Sequence, residues 1–263
     1  MRPLLWTSLL ASVTVTGGCK KEKPFAPTEM TEILTFMFEN FDDPESMGAA
    51  SDNLKPWLDD NADTEEIING YQMNPLTEKV ASAVDYPPNA VLSDQLGAVT
   101  GNLSSYPLDD QAIVMVQNDQ SFLNTDSYIK YKRDVSGNVN QFKSGSGLIE
   151  TDNDVETKVV AWTTPYNLKK DYRWVEGEES RSIVARSWIE EEGCNEGGAL
   201  DICLLQSFSV DVFMDDGKRT QRLTATWAEV KPDVLSDKQL TDQLIDGVQT
   251  VFESEDAWIF GNL

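Results

Sequence analysis

The chain has 263 residues, with 21 Lys and Arg against 45 Asp and Glu, a formal charge of −24 and no histidine. At 40% hydrophobic and 9% aromatic residues it can bury a real core, which excludes wholesale disorder. The acidity excludes non-specific nucleic-acid binding, because neutralising phosphates requires a basic surface, and the missing histidine excludes Ser-His-Asp and Cys-His nucleophile systems and His-bearing zinc sites.

Residues 1–18 carry Arg2 as their only charge, and the stretch from Leu4 to Val15 is apolar or small, too short to span a bilayer as a helix. Thr16, Gly17 and Gly18 then precede Cys19. This segment resembles a bacterial lipoprotein signal with its lipobox, departing from the commonest pattern at Thr16, where an aliphatic residue is usual. The resemblance implies cleavage before Cys19 and acylation of that cysteine, which makes the membrane a partner and the domain extracytoplasmic. Lys20 directly after the cysteine points, by the same resemblance, to the outer rather than the inner membrane where the source has two. Residues 19–27 form a short tether containing Lys20, Lys21, Lys23, Pro24 and Pro27.

Residues 28–41 place Ile33, Leu34, Met37, Phe38 and Phe41 at helical spacing, with Thr28 as N-cap. Residues 44–60 predict a second helix with Met47, Leu54, Trp57 and Leu58 as its stripe, kinked or split at Pro56. A helical turn over 63–70 closes near Gly70, and 76–84 fits a short helix. Pro87-Pro88 breaks regular structure, and 91–105 reads either as strand–turn–strand or as loop. From residue 112 the period changes to two. Strands are predicted at 112–116, 127–133, 139–149, 155–163, 170–175, 182–190, 203–214 and 219–230, with a hairpin turn at Asp216-Gly217. Ser236 or Asp237 caps a last helix, whose stripe is Leu240, Leu244, Ile245, Val248, Val251 and Phe252.

With Cys19 acylated, Cys194 and Cys203 remain, flanking a Gly-rich connection between two strand-like runs. Outside the cytoplasm such a pair predicts a structural disulfide. Ser127 and Lys130 match SxxK, with Ser51-Asp52-Asn53 upstream, but the order is wrong for penicillin-recognising enzymes, and SxxK falls on a strand rather than at a helix start. Asp59, Asn61 and Asp63 mimic the first ligands of an EF-hand, yet Thr64 stands at the obligatory glycine and Gly70 at the closing glutamate. These matches are read as chance; no catalytic residue, metal ligand or cofactor is assigned. Tyr128, Tyr131, Trp162, Trp174, Trp188 and Trp227 fall on or beside predicted strands. Two readings apply to them: core and cross-strand packing, and the lining of an apolar ligand cavity.

Helices in front, an antiparallel sheet of six to eight strands and a long C-terminal helix make an α+β domain over 28–263, helical over 28–85 and sheet plus helix over 105–263. The element order over roughly 105–260 resembles the START-like, helix-grip arrangement. That resemblance implies a curved sheet wrapped around the last helix, with an apolar cavity between them. The expected function is that of a non-enzymatic, lipid-anchored envelope lipoprotein, binding an apolar small molecule between sheet and helix. Two other readings stay open: an envelope scaffold that contacts another protein through its acidic face or N-terminal helices, and a histidine-free hydrolase built on a carboxylate pair.

Overall fold

The computed structural model describes residues 25–159, 162–195, 202–231 and 236–263. Cys19, the signal-like segment and most of the tether lie outside the described residues. Helix α1 (Met30–Glu39) buries Ile33, Leu34, Met37 and Phe38 along its apolar stripe. Helix α2 (Pro44–Asn61) begins with Pro44 at its first turn and an Asp43 carboxylate accepting from the Glu45 N–H at 3.1 Å. It continues through Pro56 without the predicted split. Pro56 lies on the exposed side of the helix. A short α3 (Glu65–Asn69) ends at Gly70, whose φ of 70° suits a residue without a Cβ. Strand β1 (Tyr71–Met73) and α4 (Glu78–Ala81) follow.

Residues 91–105, read as loop or as strand–turn–strand, form a 3-10 turn at Leu92–Asp94 and then one continuous strand, β2 (Leu96–Ser104). Its small residues make room for large neighbours: a Cβ on Gly97 would lie 2.7 Å from Cδ1 of Trp227. The predicted strand 112–116 is helical and belongs to α5 (Leu108–Met115). A short apolar run fits a buried helix as well as a buried strand, and Asp109 and Asp110 favour the helix by sitting in its first turn. After β3 (Tyr128–Gly137), the first part of the predicted strand 139–149 is also helical, α6 (Val139–Lys143). There the Asn138 side chain accepts from the Gln141 N–H at 3.1 Å, and Gly145 and Gly147, at φ 95° and 91°, turn the chain into the next strand.

The remaining strands are β4 (Leu148–Val159), β5 (Trp162–Glu176), β6 (Arg181–Trp188), β7 (Gly193–Cys194), β8 (Cys203–Asp216) and β9 (Arg219–Lys231). Asp216 pairs with Arg219, so the hairpin turn is Gly217-Lys218, one residue later than predicted. Helix α7 (Asp237–Asn262) opens with a capping box between Ser236 and Gln239. The described strands form one antiparallel sheet of nine, ordered β1-β2-β9-β8-β6-β5-β4-β3, with β7 beside β8. Cys194 and Cys203 face each other across β7 and β8 and are joined by a disulfide. Among the described residues no helix is long and apolar enough to cross a membrane.

Both faces of this sheet are covered. The front face carries α1 and α2, and Val184, Phe208, Val210, Val212, Leu223 and Trp227 pack with them in one apolar core. Phe38 of α1 sits edge-on to Phe208 and Trp227, with ring centroids 5.9 and 6.4 Å away. The back face carries α7. The period of two that aims Phe208, Val210 and Val212 forward aims Ser207, Ser209 and Asp211 backward.

Candidate ligand cavity

Helix α7 is fastened to the back face through its C-terminal half. Arg222, fully buried, donates to both Asp256 oxygens at 3.0 and 3.1 Å and to the Phe252 carbonyl at 3.1 Å. Asp256 also accepts from Ser104 at 2.6 Å, and Gln249 donates to Thr100 at 2.6 Å. Toward its N-terminal half the helix roofs a hollow. Gln243, Leu244, Gly247, Val248 and Val251 look onto a cavity of about 260 Å³, whose other walls include Tyr131, Arg133, Lys170, Tyr172, Asp211 and Thr224. A second space of about 380 Å³ shares Tyr128, Tyr166, Leu244 and Gly247 with the first and is walled by Ile202, Leu204, Ala228, Val230 and Leu240. The inner compartment, over the middle of the sheet, is thus polar on its sheet side, and the outer one, toward the disulfide end of the sheet, is mainly apolar. The disulfide sits beside the outer wall, since Cys203 lies between Ile202 and Leu204.

The inner polar groups are ordered by one another. Lys170 and Asp211 form an ion pair at 2.6 Å, and Asp211 accepts from Thr224 at 2.8 Å. Ser187 and Ser209 share a hydrogen bond of 2.7 Å. Arg133 donates to the Asn153 side chain at 2.7 Å, to the Met115 carbonyl and to the Tyr131 hydroxyl at 3.2 Å. Its guanidinium lies 5.5 and 5.2 Å from the ring centroids of Tyr131 and Tyr172.

Burial alone would push the Lys170 ammonium toward neutrality, but Asp211, Tyr172 and Tyr131 outweigh it and hold the pKa well above the usual lysine range. Burial raises the Tyr128, Tyr166 and Tyr172 hydroxyls, so each stays a neutral donor at physiological pH. Burial also lifts Glu255 of α7 to about 7, against the opposing pull of Arg222 and Lys170. Lys170 is therefore held as a cation rather than a free amine, and Ser187 and Ser209 bond to each other rather than to a base. The arrangement suits holding a molecule better than attacking one.

Of the aromatic residues singled out from the sequence, Tyr128 and Tyr131 stand in the cavity wall with ring centroids 5.0 Å apart. Trp174, Trp188 and Trp227 do not. Trp174 donates its indole N–H to the Phe142 carbonyl at 2.7 Å under an Arg181 guanidinium 4.2 Å from its ring. Trp188 packs on the front face near Arg186, and Trp227 lies in the front core, donating to the Asn74 carbonyl at 2.9 Å. Trp162 opens β5, and its side chain lies outside the described residues. The motif-like residues have structural duties. Asp52 accepts from the Glu178 and Glu179 N–H groups at 2.8 and 3.0 Å, Asp59 pairs with Lys55, and Lys130 pairs with Asp154.

Sequence reasoning missed Arg133, Lys170, Asp211 and Glu255. A signal existed for Glu255, which falls three residues after Phe252 and four before Ile259, on the buried stripe of α7. Among the described residues no group of three or more His, Cys, Asp or Glu side chains is placed to hold a metal ion.

No protein-family model matches the sequence, and no curated protein matches it significantly. Among solved structures the chain is similar to a STAR-related lipid transfer protein from Xanthomonas axonopodis, at 6% identity over 63% of this chain and 85% of that one, with a TM-score of 0.42. It is also similar to the Zhui aromatase/cyclase from Streptomyces sp. R1128, at 11% identity over 64% and 92% of the two chains, with a TM-score of 0.38. The human StarD13 lipid transfer and protein localization domain aligns at 11% identity over 64% of this chain and 78% of its own, with a TM-score of 0.38. The likeness in each case is one of overall fold.

Proposed function

We propose that this chain is a non-enzymatic, lipid-anchored extracytoplasmic lipoprotein whose domain holds an apolar small molecule between its sheet and its C-terminal helix. The observation that carries the reading is the hollow under α7, two adjoining spaces of about 260 and 380 Å³, on a sheet whose opposite face is filled. Protein interiors ordinarily leave few voids larger than a water molecule, whereas small-molecule pockets occupy roughly 300–1,000 Å³. The outer walls are aliphatic, so a hydrocarbon seated there gains about 25 cal/mol for each Å² that it removes from water. The Cys194–Cys203 bridge supports an oxidising compartment. The lipobox-like segment ending at Cys19 supports an acyl anchor, two or three chains being enough to hold a protein on a membrane. Lys20 favours the outer membrane where the source has two.

Native mass spectrometry of the full-length protein after exposure to an envelope lipid extract tests the ligand. A bound mass released by denaturation is expected. It should be absent from Gly247→Leu, because a Cβ at Gly247 meets nothing within 4 Å and a side chain there can grow into the hollow. A protein that stays empty overturns the ligand reading and turns the search toward a protein partner. Cys19→Ala should move the protein from the membrane to the soluble fraction; retention in the membrane would overturn the anchor.

A further inference from the structure

We propose that the ligand is a single-chain amphiphile with a carboxylate headgroup, seated with its charge against Arg133 and its chain in the mainly apolar outer compartment. This rests on the ligand-cavity reading above and specifies its chemistry. Buried charges in proteins are paired, because an uncompensated ion away from water is costly. Of the two cations that line the cavity, Lys170 obeys that rule, paired with Asp211 at 2.6 Å. Arg133 does not. It is 2% exposed, it lines the cavity, and its partners are an amide oxygen, a backbone carbonyl and the phenols of Tyr131 and Tyr172, all neutral. Of its five N–H groups these bonds leave one over.

The charge count of the site agrees. With Glu255 protonated, as burial favours up to about pH 7, the Lys170–Asp211 pair cancels and one positive charge remains in the lining, that of Arg133. A headgroup with a single negative charge brings the site to neutrality. A planar carboxylate also matches the guanidinium fork better than a phosphate monoester, which carries nearly two charges. The volumes favour one chain. An inner space of about 260 Å³ takes a headgroup and the first carbons, and an outer space of about 380 Å³, walled by Leu204, Val230 and Leu240, takes the rest of one chain but not the two of a phospholipid.

The test is a competition read by native mass spectrometry. The full-length protein is offered equal amounts of hexadecanoic acid and hexadecanol, which share one chain and differ in headgroup charge. A preference for the acid of about tenfold or more is expected, the gain of a charge-assisted hydrogen bond to a buried guanidinium. Arg133→Met should bring the ratio close to parity, while Arg133→Lys, which keeps the charge, should retain a preference for the acid. Equal uptake of acid and alcohol by the wild-type protein would overturn the proposal and leave the cavity reading standing, and this outcome needs no variant to fold. A preference that survives in Arg133→Met would overturn the assignment to that residue. No uptake of either probe would overturn the cavity reading itself.

Discussion

The front and back of one sheet are buried in opposite ways. On the front, Phe208, Val210, Leu223 and Trp227 are fully buried by contact, in one apolar cluster with side chains of α1 and α2. On the back, residues next to these in sequence, among them Asp211 and Thr224, are shielded by a helix that stands off the sheet over a hollow. Low exposure therefore has two meanings in this molecule. Front-face residues are buried because the space is full, back-face residues because the space is roofed. Stability should reside mainly in the first face and binding in the second.

The strongest attempt to break this division is Phe38→Ala. Phe38 has no exposed surface and bridges Phe208 and Trp227. Its truncation leaves a cavity in a packed core and should cost about 3–5 kcal/mol in denaturant unfolding. Ligand uptake, measured where the variant is still folded, should not change. If it falls in proportion, the two faces are coupled and the division fails.

Next in size is Glu255→Gln, which probes the roof. Burial raises this carboxyl from an ordinary 4.5 to about 7 in the folded chain. The folded protein then keeps a proton that the unfolded chain gives up. The carboxyl therefore opposes folding increasingly as pH climbs from 4.5, and fully above about 7. Replacing it by glutamine should raise stability by about 3 kcal/mol near pH 8 and change little near pH 4. Arg222 keeps Asp256 as its partner in the variant. Equal melting temperatures of variant and wild type near pH 8 would show that water already reaches Glu255.

Breaking the disulfide should have a slightly smaller effect. Cys194→Ala with Cys203→Ala opens a short loop and should cost roughly 2–3 kcal/mol. Because Ile202 and Leu204 flank Cys203 in the outer wall, this variant should also release bound ligand faster, unlike a front-face change of equal cost. A pure stability loss with unchanged ligand off-rate would place the outer wall's rigidity elsewhere.

The sequence made the packed face more legible than the hollow one. Helices α1, α2 and α7 announce themselves through stripes such as Ile33, Leu34, Met37 and Phe38, because helical contact repeats locally. Strand β2 did not, since the reason for its small residues is Trp227, distant in the chain and pressed against Gly97. Strand β8 alternates Ser207, Phe208, Ser209, Val210, Asp211 and Val212, a pattern that normally marks one wet face. Nothing local says that α7 will cover that face, so the polar residues of the cavity went unnoticed. The aromatic residues were visible but their side of the sheet was not: Tyr128 and Tyr131 came to the cavity, Trp188 and Trp227 to the front.

Gly247→Ala gives the smallest and sharpest comparison. A glycine inside a helix ordinarily weakens it by about 1 kcal/mol relative to alanine. A mid-helix glycine therefore calls for a local reason, and the back face supplies one. Gly247 borders both compartments, and a Cβ there would meet nothing within 4 Å. The methyl group of alanine should thus bring the full gain in helix stability, about 1 kcal/mol, with no steric penalty. At a front-face position the same added carbon would need neighbours to move, as at Gly97, where Trp227 Cδ1 stands only 2.7 Å away. The alanine variant should melt higher yet hold ligand less tightly, since its methyl group narrows the passage between the compartments. A rise in stability with unchanged affinity would mean that the chain of the ligand does not run past Gly247, and would confine it to one compartment.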